Sequence, residues 1–86
     1  MPELCRFYGI IIRMFWVDHP PPHFHAVYGE HEAVIEIRTS EIIEGSLPLG
    51  AHSLVSQWIV LHRSELLEQW ELARQSKPLS KIAPLP

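Results

Sequence analysis

Asp18-His19-Pro20-Pro21-Pro22-His23-Phe24-His25 separates a long apolar run from the segments that can pair with it. Three of the chain's six histidines and three of its eight prolines fall within this stretch. Proline fixes φ and has no backbone donor, so the loop is stiff and cannot extend a sheet ladder. Stiff loops that carry several imidazoles are places to look for chemistry.

On the N-terminal side, residues 7 to 17 read Phe-Tyr-Gly-Ile-Ile-Ile-Arg-Met-Phe-Trp-Val. This β-branched and aromatic run predicts one strand. Tyr8, Ile10, Ile12, Met14 and Trp16 fall on one face, and Phe7, Ile11, Phe15 and Val17 on the other. Two apolar faces suit a central strand, or an exposed face that meets a partner. Arg13 interrupts the second face and is either a snorkelling edge charge or a binding group.

On the C-terminal side, Phe24 to Tyr28 reads as a second strand and Gly29-Glu30-His31 as a tight connection. From Glu32 to Thr39, Ala33, Ile35 and Ile37 alternate with Val34, Glu36 and Arg38, a half-buried strand pattern. Gly29 supplies the positive φ that a hairpin turn often needs. Glu41 to Gly45 is a candidate fourth strand. Successive short strands form a meander and predict an antiparallel sheet.

From Pro48 to Gln75 the period becomes helical, with Ser46 as a candidate N-cap. Steps of 100° place Ala51, Leu54, Val55, Trp58, His62, Leu66 and Ala73 on one broad face. A straight helix from 51 to 74 would be about 36 Å long, slightly more than a globule of this size, so one end overhangs or bends. Val60 and Leu67 add a weak apolar stripe on the other side. Residues 76 to 86 carry three prolines and predict an extended tail over the surface. The expected fold is therefore α+β: a meander of three to four strands within 7–45, then one long helix over about 48–75 packed on one face.

Eighty-six residues predict a single domain, 1–86. The 47% hydrophobic and 20% charged content argues against disorder. The lone Cys5, near the N-terminus, excludes a disulfide framework and a cysteine zinc site, which points to a reducing cytoplasm. Met1-Pro2-Glu3 lacks the basic start of a signal peptide, and the 7–17 run is too short to span a membrane. A net charge of −3 weakens a nucleic-acid reading.

His23 and His25 are two apart at the entry to a strand, so their side chains share a face. With His19, that spacing allows a three-histidine site for a divalent transition metal with one position left open. It equally allows His23 and His25 to act as general acid and base, as in metal-free ribonucleases. The structural alternative is that these histidines cap the loop and hydrogen-bond locally. On the helix, His62, Glu65 and Gln69 project from the apolar stripe, where polar groups are costly unless paired. They either mark the rim of the sheet, or His62 or Glu65 reaches the histidine loop or Arg13. Trp58 and Trp70 read as packing residues.

The stretch Asp18 to Ala26, with Tyr28 following, resembles the hallmark of a short bacterial family of unknown function, numbered 4160. So do Met1-Pro2-Glu3, Arg6-Phe7-Tyr8-Gly9-Ile10, Trp70-Glu-Leu-Ala-Arg and Lys77-Pro78-Leu79. Family members show two prolines between an Asn-like position and the histidine, whereas Pro20 adds a third here. The resemblance implies a gene beside another small domain, in pairs like those of toxins and antitoxins. It carries no established activity. The expected role is binding of that small protein partner, with RNA as a further ligand, at a surface of Arg13, Asp18, His19, Tyr28 and Glu65. The alternative is an enzyme, either a metal-dependent hydrolase or a ribonuclease using His23, His25 and His62. A homodimer is compatible with the two apolar strand faces.

Overall fold

The computed structural model describes residues 2–86; Met1 lies outside the described residues. Five strands form one sheet in sequence order: β1 (Glu3–Phe7), β2 (Ile10–Arg13), β3 (His23–Tyr28), β4 (His31–Glu36) and β5 (Ile42–Gly45). Every neighbouring pair is antiparallel. One helix, α1 (Leu49–Arg74), follows and packs on one face. The α+β meander is as expected, with one more strand.

The extra strand comes from the 7–17 run, which is not one strand. The chain reverses at Tyr8 and Gly9, both at positive φ (48° and 80°), so that Phe7 pairs with Ile10. Two consecutive positive φ angles give the turn the twist that antiparallel strands need. The reversal changes the face assignment: Phe7 joins Ile10, Ile12 and Met14 in the core, and Ile11 faces the other way. The sheet also begins earlier than residue 7. Leu4 and Cys5 are buried in β1, so Cys5 belongs to the core rather than to a loose terminus.

The β3–β4 hairpin turns at Gly29, whose φ is 59°, and pairs Tyr28 with His31. Ala33, Ile35 and Ile37 point into the core, as their alternation predicts. β4 stops at Glu36 rather than Thr39, and the following turn ties back through Ser40 N–H to the Glu36 carbonyl at 2.9 Å.

The helix buries Ala51, Val55, Trp58, Ile59, Leu66, Gln69, Trp70 and Ala73. Its N-cap is Pro48 with no side-chain bond; Ser46 instead donates its N–H to Glu32 in the sheet. A straight 26-residue helix would run about 39 Å, whereas the longest extent of the molecule is 33 Å. The helix bends at His62, where φ is −128°, with neither proline nor glycine at the break.

The tail is extended but is also part of the packing. Ile82 is buried and donates its N–H to Leu4 at 2.9 Å, which covers the outer edge of β1. Trp58 Nε1 donates to the Ala83 carbonyl at 2.8 Å, so the largest core side chain keeps its polar edge satisfied. Gln69, buried on the helix stripe, accepts the Ser80 N–H at 2.8 Å. Tyr8 hydroxyl reaches the Pro86 carbonyl at 2.7 Å.

Candidate functional site

β3 alternates cleanly, with Phe24 and Ala26 buried in the core and His23, His25 and Val27 on the face that the helix leaves open. His23 and His25 therefore share a face. Their ring centroids lie 5.8 Å apart. His23 nevertheless keeps only 7% of its surface exposed, because it starts the strand and the loop folds over it. The Pro20–Pro21 bond of that loop is cis.

The prolines contribute through their carbonyls. Pro22 accepts the Ile37 N–H at 3.0 Å, which fastens the loop to the chain leaving β4. Pro21 accepts from His23 Nδ1 at 2.6 Å. The other nitrogen, Nε2, lies 2.9 Å from Asp18 Oδ2. Asp18 Oδ1 in turn accepts the His19 backbone N–H at 2.9 Å. Burial pushes the Asp18 carboxyl up, but the His19 N–H and the His23 ring outweigh it and leave it below its ordinary value.

His25 is held from two sides. The Phe15 ring meets it edge-on at 4.4 Å between centroids, and Glu32 Oε2 lies 3.3 Å from its Nδ1. Across the sheet, Arg13, His25, Val34 and Glu44 stand in one row. A cleft of about 250 Å³ opens over Asp18, His23, His25, Val34, Ile43 and Glu44. Asp18, His23 and His25 each present a donor atom, all within 4.8 Å of one another.

The structure thus brings Asp18, His23 and His25 together, with Arg13 beside them in the row, and leaves other candidates out. His19 lines the rim of the same cleft, but its side chain is 92% exposed; it contacts Asp18 (3.2 Å), its ring lies 6.5 Å from that of His23, and it is not in the donor cluster. Tyr28 ends β3 on the opposite side and packs over Gly9, about 16 Å along the strand from His23. His62 and Glu65 bond to each other at 2.6 Å, and His62 lies against Trp58. Neither reaches the loop. The helix meets the site through Trp70, whose ring lies 5.0 Å from that of His23.

Glu32, Phe15 and Trp70 are site residues that sequence reasoning missed. Glu32 had a signal: a two-residue turn at Gly29-Glu30 pairs Val27 with Glu32, placing Glu32 diagonally across from His25 on the same face. Phe15 and Trp70 had none, because each approaches from outside the hairpin.

The family model for the domain of unknown function DUF4160 matches residues 9–71. This chain belongs to the DUF4160 family. The matched span of this DUF4160 protein runs from the β1–β2 turn to Glu71 of the helix and contains the whole histidine–carboxylate cluster. β1 and the docked tail lie outside it. No curated protein and no solved structure matches the chain. Among the described residues, no helix is long and apolar enough to cross a membrane.

Proposed function

We propose that this DUF4160 protein is a binding module of the bacterial cytoplasm. It docks a small protein partner, encoded beside it, on the open face of the sheet, with the histidine–proline loop as the rim of that surface. The supporting observation is the one-sided cover of the sheet. Ile11, Val27 and Val34 are half-buried with no layer above them, and Ile43 is 47% exposed beside them. Trp16 and Val17, also exposed, lie apart from this face, bonded to Lys77 and Ala73 at the end of the helix. Contiguous apolar surface framed by polar groups is the usual composition of a docking face.

The charges on this face favour a protein over RNA. Glu3, Glu32 and Glu44 accompany Arg6 and Arg13, and Arg6 is already bonded to Glu3 at 2.8 Å. Phosphate binding draws its affinity from an excess of cations, whereas here three carboxylates stand against two guanidiniums. The metal-free ribonuclease reading is also less supported, because a carbonyl and a carboxylate engage both ring nitrogens of His23.

Co-expression with the small protein encoded beside the gene, followed by gel filtration, tests the proposal. A stable complex is expected from the wild type, and its loss from Val27→Lys in the centre of the face. A wild-type chain that elutes alone as a monomer would reject the docking role. One that elutes alone as a dimer, converted to a monomer by Val27→Lys, would assign the face to a second copy instead.

A further inference from the structure

We infer that Asp18, His23 and His25 form a site for one divalent transition-metal ion whose remaining coordination positions open into the cleft beside Val34 and Glu44. The inference does not depend on the docking role, since it rests on the spacing of the three donors; its cleft shares Val34 and Ile43 with the docking face.

The donor arrangement carries it. His23 Nδ1 faces the Pro21 carbonyl at 2.6 Å and so must carry a proton. In the neutral ring that leaves a lone pair on Nε2, aimed at an Asp18 carboxylate oxygen 2.9 Å away. Either a proton on Nε2 or a metal ion can lie between these two atoms, and a metal ion would take the proton's place. Zinc bonds to nitrogen and oxygen are about 2.0–2.2 Å long, so two donors at tetrahedral angles on one ion stand about 3.4 Å apart. The His23–Asp18 pair, at 2.9 Å, is within about half an ångström of that separation. His25 completes the set from within 4.8 Å, and a side-chain shift of about 1.5 Å brings it to bonding distance.

The surroundings match those of a metal centre. Imidazole ligands commonly donate their second N–H to a carbonyl or carboxylate, which fixes the ring and raises its basicity. His23 does so to Pro21 and His25 to Glu32. Asp18 is oriented by the His19 N–H on its other oxygen. Two imidazoles and one carboxylate suit zinc, iron or nickel rather than magnesium or calcium, which prefer all-oxygen sets. Three protein ligands leave positions for water or an outside donor, which the ion would polarise as a Lewis acid.

The test uses untagged protein stripped with a chelator and titrated with zinc chloride by calorimetry, with circular dichroism on every variant. One zinc per chain is expected in the wild type, and magnesium chloride should give no saturable binding. Asp18→Asn and His25→Ala should each weaken zinc binding by at least about 100-fold, and Glu32→Gln by about tenfold. His19→Ala should bind like the wild type. His23 is buried and its replacement disturbs the fold of the loop, so the test rests on Asp18→Asn and His25→Ala. The inference fails if the folded wild type takes up no stoichiometric zinc, or if those two variants bind as it does. Equal losses in His19→Ala and His25→Ala would also overturn it, because the ligand set would then be a different one.

Discussion

Ile11 and Ile12 are adjacent, chemically identical and part of the same strand, yet Ile12 is fully buried and Ile11 is half-exposed. The difference holds for the two faces of the sheet as a whole. The covered face sets Ile10, Ile12, Phe24, Ala26, Ala33 and Ile35 against the helix. The open face carries Ile11, Val27, Val34 and Ile43, interleaved with Arg13, His25, Glu32 and Glu44. Side-chain type does not distinguish the faces; the second layer does. One helix supplies one apolar stripe, which covers one face of a five-stranded sheet. The tail, which could have covered the other, lies instead along β1 and the helix. Among the described residues, the open side is covered at the histidines alone, where the loop and Trp70 meet His23 and Phe15 meets His25.

The largest effects should come from breaking the covered face. Trp58→Ala removes the largest fully buried side chain and the partner of the Ala83 carbonyl. A loss of about 3–5 kcal/mol is expected by denaturant titration. Next is Ile82→Ala, which tests whether the tail belongs to the same cooperative unit. Chemical denaturation should show about 2–4 kcal/mol lost; a change near zero would mean that the tail is only laid on the surface.

Cys5 gives a smaller, pH-dependent comparison. Burial pushes its thiol above the ordinary value of 9.0. The unfolded chain then loses its thiol proton first as pH rises, so this contribution to stability is complete below 9.0 and declines above it. A thiol reagent should label Cys5 slowly in the folded protein and rapidly in denaturant, and Cys5→Ala should remove the alkaline decline. Val27→Lys should have the smallest effect on stability, within about 0.5 kcal/mol, because it changes a face with nothing packed on it. A substantial destabilisation by Val27→Lys would mean that the open face contributes to folding, and would remove the contrast between the two faces.

The hairpin and the helix were legible for the same physical reason: both are written in local periodicity. Ala33, Ile35 and Ile37 alternate and are buried, and the helical period over 48–75 became Leu49–Arg74. The turn at Tyr8-Gly9 was the main loss. Gly9 was the available signal, but apolar residues on both sides let two strands read as one. The helix bend at His62 had no proline or glycine to announce it. The polar stripe on the helix was resolved locally: His62 bonds Glu65, and Gln69 holds the tail.

For the stretch from Asp18 to His25, the sequence alone determined that His23 and His25 share a face, because strand side chains alternate at every residue. It also determined that the proline loop donates nothing to the ladder. Tertiary structure decided which face that is, because the helix must choose a side and local periodicity is the same for both. It also decided the third member of the cluster. His19 and Asp18 are neighbours in the chain, but the loop turns the carboxylate inward to His23 and leaves the imidazole in solvent. Loop path depends on where its carbonyls find donors, here His23 and Ile37, and those donors are placed by the folded sheet.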